Sequence, residues 1–157
     1  MMIHSWRITK GKHAKTAFSG AGAKTYGGRW NSPRTAMVYT AGSASLAILE
    51  MLVHLSAPDL MRRYVLFEVT FDESLVTNIV RGALPAVWRS SPTNQAIRQI
   101  GDNWIAANRS AVLRVPSVLV ASEWNYLLNP AHPDFAKITI GPRQPIIFDP
   151  RLVKKSS

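Results

Sequence analysis

The chain contains no cysteine, which removes disulfides, thiolate zinc sites and cysteine nucleophiles together. It has no uninterrupted apolar run of roughly 18 residues, the length that a membrane-spanning helix requires. The opening segment, MMIHSWRITKGKH, lacks the apolar stretch of a secretory leader. Acidic side chains are scarce as well: 9 Asp and Glu stand against 19 Lys and Arg, for a formal charge of +10. What is present is 46% apolar side chains over 157 residues, enough for a packed core and too many for wholesale disorder. The expectation is a small cytoplasmic protein whose residues 1–157 form a single domain.

The acid shortage is uneven. Residues 1–49 carry Arg7, Lys10, Lys12, Lys15, Lys24, Arg29 and Arg34 and no acid, while residues 50–136 are nearly balanced. Such a skew attracts anions: nucleic acid, nucleotide phosphates or an acidic protein. For the lysines and the KKSS tail, a solvated surface is an equal explanation.

Hydrophobic periodicity gives an α+β chain with mixed or antiparallel sheets. Residues 2–9 and 36–40 read as strands. Residues 63–71 alternate Val65, Phe67, Val69 and Phe71 on one face, the pattern of a half-buried strand. Residues 75–80, 111–115, 117–121, 124–129, 137–140 and 145–148 are further strand candidates. Helices are expected over 43–56, capped by Ser43, and over 92–108, capped by Ser91 with Pro92 at the first position. Residues 10–34 are rich in glycine and lysine without an apolar period, and read as a long loop of functional type. The segment from Leu152 to the end reads as a frayed tail.

Glu50 is the most informative residue. It is the only charged side chain between Arg34 and Asp59, and Leu46, Ala47, Ile48, Leu49, Met51, Leu52, Val53 and Leu55 surround it. A helix so apolar is expected to be buried, where a lone carboxylate costs several kcal/mol unless it is paired or used. Pairing with His54 one turn on, or with an arginine, is the structural explanation. Arg29 follows two glycines in YGGRWN and offers a planar fork for phosphate or carboxylate. The competing explanation is an exposed arginine over the Trp30 face. Tyr39 either stacks on a flat ring or fills the core. Ser117 either faces a cleft or caps a turn, and His132 in NPAHPD suits a loop-fixing role better than that of a base.

The remaining motifs are negative. His4, His13, His54 and His132 have neither HxH nor HxxxH spacing, so no metal site is expected. No GxSxG elbow supports a serine triad. GAGAKTYGG matches a phosphate-binding loop in composition only.

Taken in order, WRIT with Arg7, GGRWNSP with Arg29, MVYTAGSASLAILEMLVH with Tyr39 and Glu50, LRVPSVLV with Ser117, and EWNYLLNPAHPDF with Asn129 and His132 resemble the RES domain family of bacterial toxins. The resemblance implies an ADP-ribosyltransferase-like split core of two small mixed or antiparallel sheets with two to four helices. It further implies an enzyme that takes NAD+ as substrate, with no other cofactor, and either cleaves the nicotinamide–ribose bond or ADP-ribosylates a protein. On this reading Arg29, Tyr39, Glu50 and Ser117 are catalytic, and Arg7, Trp30, Asn129 and His132 bind the dinucleotide. An Xre-type helix-turn-helix antitoxin is the expected partner, with a toxin homodimer inside a larger complex, and DNA is reached only through the antitoxin. A small basic RNA-binding protein or ribonuclease, and a subunit that only binds an acidic partner, are the other classes that the charge and aromatic content permit.

Overall fold

A computed structural model describes residues 1–152, apart from the side chains of Leu60 and Met61. Of the expected frayed tail, Leu152 closes a 3₁₀ turn, Pro150–Leu152, and the rest, from Val153 onward, lies outside the described residues. Eight strands form one strongly curled sheet: β1 Met2–Lys10, β2 Val38–Ala41, β3 Tyr64–Asp72, β4 Val76–Asn78, β5 Val112–Pro116, β6 Trp124–Leu128, β7 Thr139–Ile140 and β8 Gln144–Ile146. Their order is β4-β5-β6-β2-β1-β3-β7, with β8 also on β3. Every pairing is antiparallel except β4 with β5.

The expected division into two sheets survives as a seam. β1 pairs with β3 along its whole length, from Met2↔Asp72 to Lys10↔Tyr64, and β2 pairs with β6 over all four of its residues. Between β1 and β2, however, Trp6↔Ala41 is the paired position. The two halves therefore meet at one point and diverge beyond it.

Each half carries its own helix. α2 (Ala44–Leu52) lays Leu46 and Ala47 against Ile8, Ala41, Tyr64 and Phe148. α3 (Gln95–Ala107) packs Ile97 and Trp104 against Trp30, Met37, Leu113, Val115 and Leu127. On the other face, Val38, Val69, Phe71, Val112, Tyr126 and Leu128 make a separate cluster. The division of Val112 from Leu113 and Val115, and of Tyr126 and Leu128 from Leu127, between these two clusters is the period-2 pattern of strands buried on both faces.

Several expectations are corrected. Ser43 does cap α2, accepting from the Leu46 N–H at 3.0 Å, but the helix stops at Leu52, and Leu49 and Val53 are 43% and 57% exposed. It is thus buried on one side rather than all round. α3 starts three residues later than expected, because the Asn94 side chain accepts from Ile97 N–H and Asn94 takes the cap position from Ser91. Residues 117–121 are not a strand: the Ser117 hydroxyl accepts from the N–H groups of Leu119 and Val120, which turns the chain away from extension. The expected loop 10–34 contains a 3₁₀ helix, Gly11–Thr16, and a short helix, α1, Ala21–Tyr26.

Gly101 shows how tightly α3 is seated. A Cβ there would overlap the Trp30 carbonyl. Alanine gains about 1 kcal/mol of helix propensity over glycine, yet overpacking against backbone costs about 1–3 kcal/mol or more, so the overlap wins. Gly101→Ala is expected to lower the denaturant midpoint by an amount equivalent to about 1–2 kcal/mol. Gly82, with open space beyond it, serves as the control and tolerates alanine within about 0.5 kcal/mol. Equal midpoints for the two variants would refute the seating.

Candidate active site

A cavity of about 800 Å³ opens where the two halves diverge, lined by residues that include Arg7, Arg29, Tyr39, Glu50, His54 and Asn125. Its volume lies within the usual range for a small-molecule site, on the order of 300–1,000 Å³.

Arg7 comes from β1 and occupies the seam. Its Nε donates to Ala17 O at 2.6 Å and its Nη1 to Tyr39 O at 3.0 Å, so a side chain satisfies a β2 carbonyl. No carboxylate pairs with it among the described residues, and burial pushes its pKa down to about 10. Arg29 lies in the loop after α1. Its Nη1 donates to Ser90 O at 2.8 Å and to Trp88 O at 3.4 Å, tying residues 88–90 to the loop. Burial lowers the Arg29 pKa, and the Glu50 carboxylate works against that shift.

The GGRWN loop is organised by a fully buried asparagine. Asn31 Nδ2 donates to the carbonyls of Ala23, Ser32 and Thr35, and its Oδ1 accepts from the Tyr39 hydroxyl at 2.5 Å. Tyr39 Oη in turn accepts from Trp30 N–H. Burial raises the Tyr39 pKa, so the phenol stays a donor to Asn31. Gly28 is required here, since a Cβ would come within 2.5 Å of Tyr39 Oη.

Glu50 projects from α2. Its Oε1 accepts from the Ser117 hydroxyl at 2.9 Å and from Asn125 Nδ2 at 2.8 Å. It forms no ion pair with His54 or an arginine among the described residues. Two neutral donors therefore hold the carboxylate by one oxygen, and Oε2 has no hydrogen-bond partner among the described residues.

The structure thus brings together Arg7, Arg29, Tyr39, Glu50 and Ser117. Ser117 is fully buried, with its hydroxyl already engaged by Glu50 and two backbone N–H groups, so it positions the carboxylate rather than facing the cavity. Trp30 contributes its backbone; its ring is 2% exposed and packed beneath α3. Asn129 and His132 stand apart from the cavity. Asn129 Nδ2 donates to Asn108 Oδ1, and His132 Nε2 lies 3.1 Å from Asn108 O, so both fasten residues 129–134 to the end of α3. Asn125 was not legible as a site residue, because an asparagine within a strand carries no motif; its place on β6 beside Ser117 reveals it. No group of three or more potential metal ligands occurs among the described residues, and no helix among them is long and apolar enough to cross a membrane.

The family model described as RES domain matches residues 4–149. The chain belongs to the RES domain family. Similar RES proteins include the "Prs ADP-ribosylating toxin" of Sphingobium sp., 40% identical over 99% of this chain and 100% of that one. "Toxin Res" of Yersinia enterocolitica is 38% identical over 97% and 99%. Among solved structures, a chain of the M. tuberculosis MbcT–MbcA toxin–antitoxin complex aligns with a TM-score of 0.75 at 18% identity, covering 97% of this chain and 87% of that one. This RES chain therefore shares the fold of that neighbour.

The unpaired Arg7 yields a measurable signature. In the folded state its pKa is about 10, below the ordinary arginine range, so over that interval the unfolded chain holds more protons and stability rises with pH. Relative to Arg7→Met, the natural protein is expected to gain about 1 kcal/mol between pH 9 and pH 11. Parallel stability curves for the two proteins over that window would show that the guanidinium is not shielded from solvent at the seam.

Proposed function

We propose that this RES protein is the toxin of a toxin–antitoxin pair and that it breaks the nicotinamide–ribose bond of NAD+. The observation that carries the reading is Glu50: a carboxylate held by neutral donors on the wall of a cleft that also contains two arginines without ion-paired carboxylates among the described residues.

Cleavage of a glycosidic bond passes through a positively charged, oxocarbenium-like ribose. Nicotinamide leaves as a neutral molecule from a cationic precursor, so the site needs a negative group and no general acid. Glu50 supplies that charge through its free Oε2, already oriented by Ser117 and Asn125, with little reorganisation as the bond breaks. Arg29 and Arg7 attract the diphosphate, for which a guanidinium fork is suited. The Tyr39 ring, fixed through its hydroxyl by Asn31, forms a flat wall against nicotinamide and aligns the bond. Water or phosphate then takes the ribose.

Transfer of ADP-ribose to a protein is the second reading, favoured by the relative named "Prs ADP-ribosylating toxin". An RNA-binding role fits less well: Trp30 and Trp104 are buried and Trp124 is covered by the guanidinium groups of Arg81 and Arg114, which leaves fewer rings for bases to stack on. An enzyme that consumes NAD+ in the cytoplasm requires restraint. An Xre-type antitoxin with acidic segments on the positive rim of the cleft would supply it, around a toxin homodimer. DNA contact would then belong to the complex; tight DNA binding by the free protein would contradict this.

The decisive assay is incubation with NAD+, with and without phosphate, followed by mass spectrometry of the small molecules and of the protein. Nicotinamide release is expected, and Glu50→Gln should reduce it by at least about 10³-fold while the protein stays folded. Arg29→Lys keeps the charge but loses the fork, and should be impaired nearly as much as Arg29→Ala. An active Glu50→Gln protein would end the assignment.

A further inference from the structure

A second cavity, of about 410 Å³, adjoins the first at a common wall formed by Arg7, Ala23 and Tyr39. Its chemistry differs from that of its neighbour. No carboxylate lines it. The Thr9 and Thr25 hydroxyls and the His13 ring border it and have no hydrogen-bond partner among the described residues. Tyr26, at the end of α1, also lines it, and that residue is 82% exposed. No residue of α1 is buried, so this ring supports no core.

We propose that the smaller cavity receives the adenosine end of the dinucleotide, with Tyr26 as the platform on which the purine stacks. The assignment rests on the NAD+ reading above and adds to it which half lies where. Glu50 lines the larger cavity alone, so the ribose whose bond breaks must lie there. The part-buried Arg7 has two of its nitrogens on carbonyls and no carboxylate partner among the described residues, and it belongs to the wall that the cavities share. A ligand astride that wall with its anionic centre on Arg7 leaves its other nucleoside in the smaller cavity. An aromatic face for the base and unpaired hydroxyl and imidazole groups for the ribose diol are the complement of a purine nucleoside.

Two measurements test this. The first is titration of AMP into the Glu50→Gln protein, alone and combined with Tyr26→Ala or Tyr26→Phe. AMP is expected to bind, Tyr26→Ala to weaken it about tenfold, the scale of one base–aromatic stack, and Tyr26→Phe to retain it. The second compares turnover of NAD+ with that of nicotinamide mononucleotide, which lacks the adenosine half. Tyr26→Ala should raise KM for NAD+ about tenfold with kcat unchanged, and leave the mononucleotide untouched. AMP affinity indifferent to Tyr26→Ala, or equal effects on both substrates, would overturn the proposal. AMP binding that depends on Tyr26 in a protein that never consumes NAD+ would sustain the subsite and remove the reaction assigned to its neighbour.

Discussion

The structure depends on a guanidinium that spans a gap in a sheet. β1 and β2 pair at Trp6↔Ala41 and then part, and a parted ladder leaves backbone acceptors without partners, which a folded chain rarely tolerates. Arg7 resolves this by donating to Tyr39 O on β2 and to Ala17 O in the segment after β1. The halves separate far enough to make a cleft without exposing orphaned carbonyls. The remedy places on the lining of the cleft a positive charge with no carboxylate partner among the described residues, where an incoming anion is the natural counter-ion. Nearby, the hydroxyls of Ser5 and Thr40, both buried, lie 2.8 Å apart and stitch the strands on the closed side of the seam.

The second organising device is the use of amides as fixed donors. Asn31 gathers three carbonyls and the Tyr39 hydroxyl, so a loop containing Gly27 and Gly28 keeps one shape. Asn125 performs the corresponding task for Glu50. A carboxylate can only accept, so the amide nitrogen of Asn125 must face it and the orientation of this side chain is settled by chemistry. Neutral donors hold the negative group without cancelling its charge, as a cation would.

Much of the fold was legible because burial imposes a period. Phe67, Val69 and Phe71 alternate in the sequence and are buried in β3, and Ser43 announced the start of α2. Glu50 and Arg29 were legible for the opposite reason: each departs from its surroundings, one as a charge among aliphatic side chains, the other as a bulky cation beside glycines. What escaped was set by long-range contact. α1 buries no residue and is held through its carbonyls, which accept from the Asn31 amide and the Arg34 N–H, and residues 117–121 look like a strand until the Ser117 hydroxyl captures two backbone N–H groups. Asn129 and His132 sit in a distinctive segment, but its distinctiveness serves the anchoring of a loop to Asn108.

The partners of Glu50 come late in the chain: Ser117 follows it by 67 residues and Asn125 by 75. During synthesis the carboxylate emerges with most of the N-terminal half, yet both of its donors are still to be made. A nascent chain halted before Asn125 carries every arginine of the cleft and the acidic group as well, without the means to orient that group. An incomplete chain therefore lacks the oriented carboxylate that the proposed reaction needs, and the interval between the two halves of the site is one in which a restraint can engage the growing chain.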